Sequence, residues 1–224
     1  TDSVEIIFAP CDVELSCQPS TLQWQVVYQE DFDSIPFGAE WAAQHASPCL
    51  PLSPTAITPY AFLGSQGIGP FDYTTQIRLD LATAISIPSH CKLKVEYDLF
   101  IGASWDGNGP SAGPDFWNFV LDGDTILHTT FSRTGWAGNQ QSYPQQYSTA
   151  SGWDQCDGGA WVAAINNNPE GTGAFSTSTG GGDLYKMSHI VNHTSNTAII
   201  DFIGGISQAF PDEGWAMDNV TVST

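Results

Sequence analysis

KLKVEYDLFI, Lys92 to Ile101, places Leu93, Val95, Tyr97, Leu99 and Ile101 on one parity and Lys94, Glu96, Asp98 and Phe100 on the other. Strand side chains alternate with period two, so this is a half-buried antiparallel strand. Further stretches of the same kind follow at short intervals: LQWQVVYQ (22–29), TQIRLDL (75–81), FWNFVLD (116–122), TILHTTF (125–131), LYKMSHIVN (184–192), TAIIDFI (197–203) and WAMDNVTV (215–222). Gly, Pro and Asp turns join them, and no window carries a sustained helical stripe. The pattern predicts an all-β chain: a jelly-roll sandwich of two antiparallel sheets over residues 26–224.

Residues 1–25 stand apart as an N-terminal extended arm. SVEIIFAP aligns Val4, Ile6 and Phe8 on one side and then stops at Pro10, well before the sandwich begins. Such a strand either pairs at an edge of its own sheet or completes the sheet of a neighbouring copy, which is donor-strand addition.

Acidic residues dominate the charge, with Lys+Arg 5 against Asp+Glu 24 and a formal net charge of −19. Nucleic-acid phosphate and anionic membrane surfaces are repelled by such a chain. No apolar run reaches the ~18 residues of a membrane span. The chain begins at Thr1 without a basic start and apolar centre, and reads as a mature, secreted protein. Cys11, Cys17, Cys49, Cys91 and Cys156 form no CxxC pair, which favours disulfides in an oxidising compartment over a zinc site. Asn192-His193-Thr194 and Asn219-Val220-Thr221 are glycosylation acceptor triplets; simple alternation puts Asn219 opposite Asp218.

The closing strand raises a question of charge. Alternation puts Ala216, Asp218, Val220 and Val222 on one apolar side, where an ionised carboxylate costs several kcal/mol unless paired or bound to a metal. On the opening strand Glu30 shares a parity with Val26, Tyr28 and Phe32, and the first and last strands of a jelly roll are often neighbours. Glu30 and Asp218, with Asp31 or Asp33 nearby, therefore point to a structural Ca2+, which takes six to eight hard oxygen ligands.

The acidic EDFD (30–33) on the opening strand, answered by MDNV (217–220) on the last, resembles secreted jelly-roll modules of several carbohydrate-binding-module families and of MAM-type domains. The resemblance covers about residues 28–224 and implies a calcium bracketed by the two strands, with Glu30 or Asp33 and Asp218 as ligands. SWDGNGPSAGPDFW followed by DGDTILHTTF is also similar to a group of uncharacterised secreted β-sandwich proteins.

Two long connections carry the remaining candidates. Asp106, Asn108 and Asp115 are oxygen ligands along a glycine-rich turn that wraps a second Ca2+ or serves as ordinary turn chemistry; the closing Glu and flanking helices of an EF-hand are missing. The stretch from Ser132 to Gly182 holds Trp136, Tyr143, Trp153 and Trp161, flat platforms suited to sugar rings. Neither GxSxG nor HExxH occurs, so the chain reads as non-catalytic. His189 and His193 are expected to face solvent, as are Glu96 and Asp98 beside Lys94. Two functions follow: an extracellular structural subunit that self-assembles through its arm into a homo-oligomer or fibre, or a carbohydrate-binding, lectin-like module.

Overall fold

A computed structural model describes residues 23–34, 36–46, 51–62, 65–108, 113–132, 141–143, 145–146, 182–210 and 212–224. The expected arm, with Val4, Ile6 and Phe8, and the aromatics Trp136, Trp153 and Trp161 lie outside them. The described chain is an all-β sandwich of two antiparallel sheets. Its strands are β1 (Val26–Glu30), β2 (Trp41–Ala46), β3 (Ser53–Thr55), β4 (Pro59–Phe62), β5 (Ser65–Phe71), β6 (Thr74–Asp80), β7 (Lys92–Ala103), β8 (Phe116–Leu121), β9 (Asp124–Thr130), β10 (Gly182–Asn192), β11 (Ile199–Gly205) and β12 (Glu213–Ser223). One sheet runs β10-β7-β12-β5-β4, with β1 also on β12; the other runs β3-β2-β6-β11-β8-β9. A single helical turn, α1 (Leu81–Ala84), follows β6 and is capped by the Asp80 side chain, which accepts from Ala82 N.

The core forms where the inner parities of both sheets meet. From β7 come Leu93, Val95, Tyr97, Leu99 and Ile101, as the alternation requires, and they face Trp117 and Phe119 of β8 and Ile200 and Phe202 of β11. Burying such aromatic and aliphatic side chains contributes about 1.5–3 kcal/mol each before ordering costs. Across this interface the Trp215 indole of β12 lies against the backbone of Gly204 on β11, in the space any side chain at 204 would fill. Trp215 also meets Trp117 edge-on at 4.9 Å.

The opening and closing strands are neighbours: Glu30 pairs with Val220 and Tyr28 with Val222. The closing strand, however, corrects simple alternation. Trp215 and Met217 face the core; the register against β7 then shifts between Asp218 and Thr221, where Asn219 takes φ 53°, and Val220 and Val222 face the core in turn. This is a β-bulge, which inserts one residue and exchanges the two faces beyond it. Asp218 consequently sits on the outer face beside Asp98 rather than between the sheets.

Asp218 is nonetheless buried, closed over by its neighbour. Its oxygens accept from the backbone N–H of Asn219 at 2.7 Å and from Asn219 Nδ2 at 3.2 Å. The same Nδ2 donates to Asp98 Oδ2 at 3.0 Å, and Lys186 Nζ donates to Asp98 Oδ1 at 2.8 Å. Asn219 is exposed, but it does not stand opposite Asp218: its Nδ2 bonds both carboxylates. Asn192, at the end of β10, is exposed.

Candidate metal centre

One group of three carboxylates converges among the described residues, and it lies in the long turn rather than on the opening strand. Asp106, Asp115 and Glu213 bring a ligand oxygen each to within 4.8 Å of one another, all buried. Glu30 accepts instead from the backbone N–H of Phe32 at 2.9 Å, and Asp33 is exposed.

Each element of the centre is positioned by its local sequence. After β7 the chain turns through Ser104–Asn108, pinned by Trp105, whose fully buried indole donates to Gly214 O at 3.0 Å. Ser104 N–H bonds Asp212 O at 2.8 Å, so this turn is tied to the start of β12. The chain returns at Asp115, whose N–H donates to Gly107 O at 3.0 Å and whose Oδ2 takes the N–H of Asp106. Glu213 opens β12, and its Oε2 accepts from the N–H groups of Ser207 and Gln208 at 3.1 and 2.9 Å.

These bonds leave one oxygen on each of two carboxyls without a donor. Asp115 Oδ1 and Glu213 Oε1 are fully enclosed and unpartnered, although their residues are 0 % exposed. Buried polar atoms are normally satisfied, so two such acid oxygens side by side call for a proton shared between the carboxyls or for a cation, which this group could hold. Burial, reinforced by Glu213, pushes the Asp115 carboxyl well above the usual carboxylate range. Burial likewise raises Glu213 to about 8, against the opposing pull of the Gln208 amide. Among the described residues, Arg78, Lys94 and Lys186 pair with Asp201, Glu96 and Asp98. Three hard oxygen donors without His or Cys fit Ca2+ in ligand type.

Asn108 lies in the same turn and is buried. Its Oδ1 accepts from the hydroxyls of Thr130 and, at 3.2 Å, Ser142, bracing the turn against β9. Asp106 is bridged to Ser132 beside it. Gln141 adds a further clasp, its Oε1 accepting from Tyr185 OH at 3.3 Å. Tyr143 is half-buried, with its ring 4.9 Å from Phe131 and 5.5 Å from Tyr185, so it is a packing residue rather than an open platform. Glu213 was invisible to sequence reasoning, because the turn DEGW reads as ordinary solvated acids.

The histidines also depart from expectation. His189 stacks on Phe119 at 4.2 Å and meets Tyr97 OH at 3.2 Å. Burial lowers its pKa, and that of His128, to about 4. Asp98 is buried, whereas Glu96 pairs with Lys94 at 2.8 Å. Two shallow clefts flank β2. The first is lined by Phe37, Trp41, Ile57 and Pro59 with no acid, and the second includes His45 and one acid, Asp72. Neither offers the two carboxyls that glycoside hydrolysis uses.

No family model matches the chain, and no curated protein matches it significantly. Among solved structures, a family 35 carbohydrate-binding module from Clostridium thermocellum aligns at 9 % identity and TM-score 0.35, covering 88 % of this chain and 98 % of that one. A carbohydrate-binding module of Cellvibrio mixtus lichenase 5A, in complex with cellotriose, aligns at 11 % identity and TM-score 0.35, covering 89 % and 98 %. The K3 cleaved adhesin domain of Lys-gingipain from Porphyromonas gingivalis aligns at 10 % identity and TM-score 0.37, covering 89 % and 100 %. The likeness is of low degree, to β-sandwich modules of carbohydrate-binding and adhesin type.

Proposed function

We propose that this chain is a non-catalytic extracellular module that binds carbohydrate, with its loop end held by a structural Ca2+ at Asp106, Asp115 and Glu213. The ion is enclosed, so it orders the turn and does not touch a ligand. The observation that carries the binding reading is a row of amide side chains across the outer face of the second sheet. Gln44 of β2 pairs with Gln76 of β6, Gln76 with Ile203 of β11, and Ile203 with Asn118 of β8. Gln44 is exposed and Gln76 and Ile203 are half-buried, while Asn118 is buried with its Oδ1 2.6 Å from His128 Nδ1. Arg78, exposed and pinned to Asp201 by bonds of 2.7 and 2.9 Å, borders the row.

Amides donate and accept at once, which suits neutral sugar hydroxyls, and an apolar Ile among them suits the ring face. The net charge of −19 disfavours polyanions. Affinity electrophoresis in gels containing neutral polysaccharides tests this: the protein is retarded, and Gln76→Ala relieves the retardation while leaving the fold intact. Equal mobility with every glycan would instead favour the self-assembling reading, which sedimentation of the intact chain against a form lacking residues 1–20 then examines.

A further inference from the structure

At the end of the sandwich that carries the β8–β9 turn, His90, His193 and Asp122 form a single chain of contacts. His90 lies in the connection before β7, His193 directly follows β10, and Asp122 is in the turn between β8 and β9. The backbone holds these segments together: His193 N–H donates to Cys91 O at 3.0 Å, Cys91 being disulfide-bonded, and Ile199 N–H donates to Asp122 Oδ1 at 2.8 Å.

The acceptors determine where the ring protons are. His90 Nδ1 is 2.6 Å from Pro88 O, and a carbonyl only accepts, so Nδ1 carries the hydrogen. His193 Nε2 is 3.0 Å from Asp122 Oδ2, so there Nε2 carries it. The remaining nitrogens, His90 Nε2 and His193 Nδ1, face each other 2.7 Å apart, and in the neutral rings both present a lone pair. Three contacts need three protons where two neutral imidazoles supply two. An electrophile must therefore stand between the rings: a shared proton or a metal ion.

We infer that His90 and His193 form a binding site for a borderline divalent transition-metal ion, separate from the acidic centre. Both rings give their remote N–H to a carbonyl or a carboxylate, the arrangement that fixes the tautomer and raises the basicity of metal-binding histidines. Nitrogen donors select Ni2+, Cu2+ or Zn2+ and reject Ca2+. Two nitrogens at ~2.0–2.1 Å from one ion lie about 2.9 Å apart at a right angle and about 3.4 Å apart in a tetrahedron. The observed 2.7 Å belongs to rings 19° from parallel with centroids 4.9 Å apart, nitrogen against nitrogen, so an ion enters when the rings swing apart and both lone pairs converge on it. His193 is buried and His90 half-buried, so water completes the coordination from the His90 side. When the ion takes both lone pairs, the shared proton leaves to solvent.

Calorimetric titration of the calcium-saturated protein with NiCl2 tests the site. One Ni2+ binds per chain, with proton release read from buffers of different ionisation enthalpy. His90→Ala abolishes the binding, His45→Ala leaves it unchanged, and Asp122→Asn weakens it roughly ten- to hundredfold. His90 is only half-buried, so its variant keeps the test open even where a His193 variant unfolds; circular dichroism verifies the fold. Absence of Ni2+ uptake by the intact protein would mean that the pair shares only a proton and would overturn the proposal, as would equal uptake by His90→Ala.

Discussion

Asp115 and Glu213 each give one carboxylate oxygen to backbone N–H groups and leave the other, Oδ1 and Oε1, buried without a donor. Without the proposed Ca2+ these buried acids lack a counter-charge. An ion bound only by the folded state at a hundred times its Kd stabilises by about 2.7 kcal/mol. For a chain of this size that corresponds to a fall in Tm of roughly 5–10 °C on adding chelator. Glu213→Gln should abolish the difference between calcium and chelator, as read by differential scanning calorimetry. Melting curves that ignore calcium in the intact protein would refute the centre.

Acid should destabilise the protein in part through His189, beside His128, whose pKa burial lowers alike. The folded pKa of His189 is depressed to about 4 by burial, whereas the unfolded side chain titrates near its ordinary value of 6.5. Between those values the unfolded state binds more protons, so stability rises with pH across this window and is lost as pH falls through it. His189→Phe, which keeps the stack on Phe119, should flatten the slope of stability against pH between about 6.5 and 4 in urea titrations. A slope unchanged by the substitution would assign the acid sensitivity to other groups.

The contact between Gly204 and Trp215 should be intolerant of volume. Gly204→Ala pushes a methyl group into the indole across the two sheets. Overpacking of this kind costs about 1–3 kcal/mol. A lower urea midpoint with altered tryptophan emission is expected, and an unaffected midpoint would show that the sheets slide apart without cost.

Asn219 should resist replacement for two separable reasons. Asn219→Val places a β-branched residue at φ 53°, a region that side chains of this kind avoid, and also removes the bonds to Asp98 and Asp218. Asn219→Gly keeps the conformation and removes the side chain's bonds to the two carboxylates, and hydrogen bonds to charged groups contribute about 1.5–3 kcal/mol. The valine variant should therefore be the less stable in thermal melts. Equal stability would show that the backbone carries no strain there.

Legibility in the sequence followed chemistry. β7, β8, β10 and β12 are rich in aromatic and branched residues and declared themselves by alternation. β2 (WAAQHA) and β5 (SQGIGPF) did not, because Ala, Gln, Gly and Pro carry little strand signal. β5 instead depends on a close approach, with Gly69 at φ 135° against Ala216 and the Trp215 carbonyl. Asp106 and Asp115 stood out in a glycine-rich turn, whereas the burial of Glu213 arises only when the connection after β11 folds its amides onto it. Asp218 was read onto the wrong face because alternation has no way to count a bulged residue.

That bulge also marks a change of phase in the last strand. Residues before Asn219 keep odd numbers inward, through Trp215 and Met217; those after it keep even numbers inward, through Val220 and Val222. The first half of β12 pairs with β5 and the second with β1, so the phase change coincides with the exchange of partners. Deleting the single residue Asn219 would bring the two halves into plain alternation, with Met217, Val220 and Val222 still inward and Asp218 and Thr221 still outward. The inserted residue thus adds a local bend and the Asn219 contacts without deciding which side chains of the last strand reach the core.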